Sequence, residues 1–249
     1  MSMWAFLGSG EFEPWHDDID RRLLAERPGP VLVAPTASAH EGAASYDTWA
    51  SKGLAHYERL GAEARLLPLR TRADAERDEV VAALDEAALV FFSGGNPWRL
   101  AEAVRGTPFW DRLTARLDEG GLAYAGCSAG VACLTERTFD SDTDDMEQIF
   151  KPGIGHFRDL LFGPHWDMID SWVPDATTFI TGSVREGQAL IGIDERTAML
   201  GDGTDWEVVG ASGVHVYRDG SWTTHASGDG FRLALRRSHV EPPASTVTG

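Results

Sequence analysis

The run Gly126-Cys127-Ser128-Ala129-Gly130 sets a hydroxyl among small residues, directly after the apolar stretch Gly121–Ala125 and just ahead of the small-residue stretch Ala129–Leu134. Small neighbours suit a tight strand-to-helix turn, where a Cβ on either side would strike the backbone; such a turn exposes a serine as a nucleophile. The helix that follows is expected to aim its N-terminus at the hydroxyl and to favour a developing negative charge. Cys127 is the rival, because a thiol is intrinsically the better nucleophile. Centring the turn on Cys127 would place Ala125 and Ala129, not glycines, at the flanking positions. A small buried residue is the simpler role for Cys127, and Cys133 reads as a helix core residue.

A serine nucleophile needs oxyanion donors, a base and a group that orients the base. The N–H of Ala129 is the first donor by position. The loop Ser93-Gly94-Gly95-Asn96-Pro97 can supply a second, since it ends the apolar run Ala88–Phe92, and ligands bind at the carboxyl ends of strands in open α/β sheets. Its two glycines serve equally a close backbone approach or a turn with positive φ. Gly8-Ser9-Gly10 lacks the third glycine of a dinucleotide fingerprint, Glu13 standing there, so nucleotide binding is set aside.

Among eight histidines, His156 and His165 fall in the irregular stretch after the serine, and His165 lies between Pro164 and Trp166. Asp194 and Glu195 close the apolar run Ala189–Ile193 and are both candidates for the orienting acid. No H-E-x-x-H or C-x-x-C pattern occurs, which argues against zinc. The acidic loop 138–148 opens like a calcium loop at Asp140, but Asp145 stands where glycine is required and Lys151 where glutamate is. A solvated acidic loop with no metal is the expectation, and no cofactor is called for.

The elements that must carry these residues follow from the apolar pattern. Met3–Gly8, Pro30–Ala34, Ala64–Leu69, Ala88–Phe92 and Gly121–Ala125 read as buried strands. Helical spacing fills Asp18–Glu26, Ala43–Leu60, Ala73–Glu86, Trp98–Val104 and Pro108–Glu119 between them. That alternation predicts a doubly wound, mostly parallel α/β sheet of the flavodoxin-like kind. A short helix is expected within Trp166–Val173. From Ala189 onward, short runs separated by Gly-Asp and Asp-Gly turns predict additional antiparallel strands.

Composition narrows the function classes. The chain has 249 residues, with 22 Lys and Arg against 39 Asp and Glu, a net charge of −17. Such a polyanion repels phosphate backbones, so nucleic acid is not an expected partner. No apolar run approaches the roughly 18 residues of a membrane helix, and no basic segment precedes an apolar one at Met1–Phe6, so a cytoplasmic location is expected. Residues 1–240 are read as one domain, with 241–249 as a flexible tail.

Six segments together resemble the peptidase E and cyanophycinase family of serine peptidases, which share the class I glutamine amidotransferase-like fold. They are Phe6-Leu7-Gly8-Ser9-Gly10-Glu11-Phe12, Ala34-Pro35-Thr36-Ala37-Ser38, Phe92-Ser93-Gly94-Gly95-Asn96, Ala125–Gly130, Pro164-His165-Trp166 and Gly192–Ala198, in the family's order. The resemblance implies Ser128 as nucleophile, His165 as base and Glu195 as orienting acid, with Asp194 second. Gly95 and Ala129 are then the oxyanion donors, and Asn96, Arg99 and Arg196 the substrate-binding candidates. Cyanophycinases resemble one another in carrying several arginines after the histidine, and Trp166–Trp172 has none, which turns the expectation away from an aspartyl-arginine polymer. Peptidase E prefers an N-terminal Asp, which implies a cation nearby; Arg99, Arg158, Arg185 and Arg196 are the available suppliers. The expected activity is that of a serine exopeptidase or dipeptidase on small peptides, with a homodimer left open. The rivals are a non-catalytic small-molecule-binding or regulatory module on the same scaffold and an amidohydrolase working through Cys127.

Overall fold

The computed structural model describes residues 3–143 and 145–238; the expected tail at 241–249 lies outside the described residues. Strands β1 (Met3–Leu7), β2 (Val31–Ala34), β3 (Ala64–Leu66), β4 (Leu89–Phe92) and β5 (Ala123–Cys127) alternate with helices α1 (Asp17–Leu24), α2 (Ala43–Arg59), α3 (Arg72–Ala75), α4 (Asp78–Glu86), α5 (Pro97–Val104) and α6 (Pro108–Asp118). The strands are apolar without alternation because both faces of the sheet are covered. Trp4 and Phe6 of β1 pack into the cluster on one face, while Ala5 and Leu7 pack into the cluster on the other. The expected helix 73–86 divides into α3 and α4: a capping box between Thr71 and Asp74 starts the first, and Arg77 is extended ahead of the second.

Past β5 come α7 (Ala129–Ala132), β6 (Arg137–Phe139), β7 (Phe150–Pro152), β8 (Phe157–Arg158) and β9 (Leu160–Pro164). Next are α8 (Ile169–Trp172), α9 (Ala176–Gly182), β10 (Ala189–Ile193), β11 (Thr197–Gly201), β12 (Asp205–Gly210), β13 (Gly213–Arg218), β14 (Ser221–Ala226), β15 (Gly230–Arg232) and β16 (Arg236–Arg237). The main sheet has the order β15-β12-β11-β1-β5-β4-β2-β3. Its β1, β5, β4, β2 and β3 run parallel, and β11, β12 and β15 add an antiparallel edge. A second sheet, β14-β13-β10-β9, pairs β9 parallel to β10. The mostly parallel α/β architecture with later antiparallel strands is therefore as the apolar pattern predicts.

Three consequences position the site. β5 lies between β1 and β4, so the chain leaving β5 emerges beside the loops that follow both neighbours. β9 and β10 are parallel neighbours, with Pro164 opposite Ile193, so the residues just after them, His165 and Asp194-Glu195, share one sheet end. The acidic loop connects β6 and β7, which pair as a hairpin. Among the described residues, no helix is long and apolar enough to cross a membrane.

Candidate active site

Ser128 follows β5 directly and has φ +50, ψ −103, a conformation that L-residues rarely adopt. The flanking glycines are demanded by contact: a Cβ at Gly126 would lie 2.3 Å from the carbonyl oxygen of Gly130, and one at Gly130 would lie 2.5 Å from that of Phe92. The strained turn is thus built into the sequence. The helix after it, α7, has only four residues. Its dipole is correspondingly small, and the expected support for an anion reduces to local backbone N–H groups.

The Oγ of Ser128 lies 2.9 Å from Nε2 of His165, whose Nδ1 lies 2.5 Å from Oε1 of Glu195. His165 also has positive φ, +55, so the turn after β9 is strained as the turn after β5 is. The loop after β10 is held to that turn, since Glu195 N–H donates to Asp167 Oδ1 at 2.8 Å. Ser9, after β1, donates from Oγ to Glu195 Oε2 at 2.6 Å and accepts from the Arg196 N–H at 2.9 Å. Partial burial would raise the Glu195 carboxyl pKa, but hydrogen bonds from Ser9 and His165 outweigh it and hold the group below the usual glutamate range.

Asp194 is committed elsewhere. Its carboxylate accepts from Ser212 Oγ at 2.6 Å and Gly213 N–H at 3.1 Å, and lies 3.0 Å from His215 Nε2. Burial pushes its pKa up, and the His215 and Ser212 contacts more than reverse that. It braces β10 against β13. His156 is buried against Trp4, Trp110 and Phe157, away from the serine.

Gly95 has φ +136, and a Cβ there would come within 2.6 Å of the Ala37 backbone, so the positive φ and the close approach are both real. Gly94 N–H is taken, donating to Glu11 Oε1 at 2.8 Å. Among the described residues, the N–H groups of Gly95 and Ala129 donate to no protein acceptor, and both residues line the space around Ser128. Cys127 is wholly buried, with Sγ 3.0 Å from Glu11 Oε2. Burial, then the Glu11 carboxylate, pushes its pKa well up, which keeps it a thiol.

Two clefts meet at Ser128. The polar one, about 1000 Å³, is lined by Glu11, Glu13, Glu41, Lys52, Arg59 and Arg196. The other, about 410 Å³, is chiefly apolar. Arg196 lines the polar cleft and pairs with Glu13 at 3.0 Å. Two expectations need correction. Asn96 is 1% exposed and has its hydrogen-bonding groups occupied: Oδ1 caps α5 at Trp98 and Arg99, while Nδ2 donates to Asp140 and Asp142 at 2.8 Å each. It is a structural clamp on the acidic loop. Arg99 points into a different hollow, with Arg70 and Glu102, pairs with Glu102 at 3.0 Å and lies over the Trp98 ring. The α5 helix turns it away from the serine. Arg158 likewise lines a separate hollow with Arg236. Lys52 and Arg59, from α2, are the cations that sequence spacing did not single out. Ser9 and Glu11 were also missed, although the run Gly8-Ser9-Gly10-Glu11 directly after β1 marks a loop at the same sheet end.

Beneath the polar cleft, His16, Asp20 and His56 bring three ligand-type atoms within 4.8 Å of one another. Asp20 Oδ2 is 2.9 Å from His16 Nδ1 and 2.7 Å from His56 Nε2. The Phe12 N–H donates to His16 Nε2 at 2.6 Å, and Arg59 Nη2 lies 3.1 Å from His56 Nδ1. Each imidazole must therefore accept on its outer nitrogen and carry its proton on the nitrogen facing Asp20. A metal would need those inner nitrogens bare, which would set an N–H against another N–H. The donor set fits two imidazole N–H groups facing an ionised Asp20: burial raises its pKa, and the two imidazoles overcome that.

Comparison with known proteins places this geometry in context. The family model described as peptidase family S51 matches residues 3–209. A cyanophycinase of Synechococcus elongatus is 30% identical over 176 residues, covering 67% of this chain and 53% of that protein. A peptidase E of Streptomyces coelicolor is 32% identical over 151 residues, covering 59% of this chain and 52% of that protein. The chain thus spans about half the length of the curated relatives it matches. The crystal structure of a peptidase from an acI-B1 actinobacterium superposes with a TM-score of 0.83 at 29% identity, covering 94% of this chain and 97% of that one.

Proposed function

The chain belongs to peptidase family S51, and from that membership we propose that it is a serine exopeptidase hydrolysing short peptides through Ser128, His165 and Glu195. The observation that carries this reading is the continuous hydrogen-bonded line from Ser128 Oγ through the His165 ring to Glu195, at 2.9 Å and 2.5 Å. Ser128 Oγ attacks the scissile carbonyl carbon while His165 Nε2 takes its proton. Glu195 keeps the Nδ1 proton in place and stabilises the imidazolium that forms. The Gly95 and Ala129 N–H groups receive the oxyanion. His165 then returns the proton to the leaving amine as the C–N bond breaks, and water hydrolyses the acyl-serine by the same route.

The polar cleft supports a preference for an N-terminal Asp. Lys52 lines it and, among the described residues, has no carboxylate partner, its ammonium lying 4.3 Å over the Trp49 ring. Arg59 and Arg196 are already paired, with Asp17 and Glu13. A local cation is what an acidic side chain needs against a net charge of −17. The buried, protonated Cys127 speaks against an amidohydrolase using the thiol.

A fluorophosphonate probe followed by peptide mapping tests the nucleophile. Labelling is expected at Ser128, and it should vanish, along with dipeptide hydrolysis, in Ser128→Ala. Unlabelled Ser128 together with undiminished hydrolysis in that variant would overturn the mechanism, and an unlabelled, inactive wild type would favour the non-catalytic module.

A further inference from the structure

The second cleft at Ser128 differs in kind from the polar one. Ile149, Ile169, Trp172, Val173 and Ile180 supply much of its wall, and among its described lining residues there is no lysine or arginine. Its one carboxylate among the described residues, Asp140, is held by Asn96 Nδ2 at 2.8 Å and by the Asp142 N–H at 3.2 Å. Gly95, Ser128 and His165 line both clefts, so whatever occupies one is joined to the other across the nucleophile.

The rim of this cleft is unusually apolar for a surface. Of the exposed large hydrophobic side chains among the described residues, Met168, Trp172, Val173 and Phe179 come from the single stretch 168–179, and Trp172 and Val173 of these line the cleft. Trp172 is 57% exposed, yet its ring stands edge-on to His165 with centroids 5.1 Å apart. An apolar patch set against the general base, instead of scattered over the surface, marks a place where an occupant completes the packing.

We propose that this apolar cleft is the subsite for the residue immediately after the scissile bond, and that it selects a large uncharged apolar side chain there, with Trp172 and Ile180 as specificity determinants. The assignment of sides rests on the exopeptidase reading. An N-terminal residue carries a free ammonium, which needs carboxylate partners, and the polar cleft provides Glu11, Glu13 and Glu41. Among the described residues the apolar cleft offers Asp140 alone, one carboxylate against those three. The N-terminal residue therefore lies in the polar cleft and the leaving residue in the apolar one. A charged side chain on the leaving residue would be buried there without a partner, which weighs against it. An aliphatic or aromatic one would cover Trp172 and fill space that water occupies poorly.

The test uses C-terminally amidated dipeptides, so that the second residue brings no α-carboxylate, with a fixed first residue, Asp in one series and Ala in another, and Gly, Lys, Leu or Phe second. Binding to the Ser128→Ala protein by calorimetry reads the subsite without catalysis, and wild-type kcat/KM reads it with catalysis. Leu and Phe are expected to exceed Gly and Lys by at least about tenfold in both measurements, as differences of several methylenes allow. Trp172→Ala, an exposed change that leaves the core untouched, should reduce that advantage to about threefold or less. Gly, Lys and Leu peptides binding within twofold of one another would overturn the proposal. So would an advantage that Trp172→Ala leaves intact. Fluorophosphonate labelling of wild-type Ser128, run in parallel, keeps a failed subsite distinct from a failed serine mechanism.

Discussion

Ser9 and Glu195 are separated by 186 residues in the chain and joined by a 2.6 Å hydrogen bond from the Ser9 hydroxyl to Oε2. The bond uses the carboxylate oxygen that His165 leaves free, and Ser9 also accepts the Arg196 N–H. In the proposed mechanism Ser9 is a positioning residue, acting through the acid. Ser9→Ala should lower kcat about 10- to 100-fold with little change in KM, the cost of one hydrogen bond to a charged group. Ser9→Thr, which keeps the hydroxyl, should recover much of the loss. Equal damage from both variants, or a change in KM alone, would remove this role.

Ser128 and His165 should behave as one unit. Each single alanine variant is expected to lose on the order of 10⁴-fold or more in kcat, with the double variant no worse than either, because losses within a triad do not add. Multiplicative loss in the double variant, measured by steady-state kinetics, would mean that the two act independently.

Asn96 should prove structural. Asn96→Ala removes the cap of α5 and both bonds to the acidic loop, and it should lower stability by about 1–3 kcal/mol. The measurement is chemical denaturation. A normal midpoint together with a raised KM would instead restore Asn96 to substrate binding.

His156 sets a pH dependence of stability. Burial, then the charge of Arg237, pushes its pKa from 6.5 down to about 3. Between those values the unfolded chain takes up a proton that the folded one refuses, so stability falls as pH drops through this window and is fully present above 6.5. The slope is about 1.4 kcal/mol per pH unit, and the whole effect is roughly 4–5 kcal/mol. His156→Phe, a ring for a ring among Trp4, Trp110 and Phe157, should flatten that part of the profile. The depressed Asp20, Asp194 and Glu195 act lower, withdrawing stability only as pH falls below the carboxylate range. An unchanged slope between pH 6 and 4 in the variant would show that His156 is not the group responsible.

Lys52 should carry any preference for an acidic first residue. Asp dipeptides are expected to be cleaved at least tenfold faster than their Asn counterparts, and Lys52→Ala should erase most of that gap, while Arg99→Ala should leave it unchanged. Equal rates on Asp, Asn and Leu at the first position would refute the acidic preference and leave the serine mechanism standing.

Local rules made much of this legible in the chain alone. The parallel strands are short, continuously apolar and set apart by helical spacing, because burial on both faces leaves no alternation to mistake. Gly126 and Gly130 announce the turn at Ser128, although only the first is demanded locally, by the carbonyl of Gly130, while the second is demanded by Phe92 of the neighbouring strand. The candidate residues Ser128, His165 and Glu195 could be named from their motif blocks. Their assembly, however, belongs to pairing between distant strands. The choice between Asp194 and Glu195 is decided by which carboxylate faces the turn after β9 and which faces β13, and adjacent residues in a chain carry no mark of that. Asn96 and Arg99 sit two and five places beyond Gly94 near the serine, yet α5 caps itself with one and swings the other outward. Lys52, Ser9 and Glu11 join the site from α2 and from the loop after β1, segments whose residue order assigns none of the three a role. The apolar cleft draws on Ile149, Trp172 and Ile180, which look like ordinary hydrophobic residues until the fold leaves part of their surface uncovered beside His165. Short-range sterics and periodicity act within a few residues and can be read from order alone; hydrogen-bond partners and cleft walls depend on which chain ends the sheets bring together.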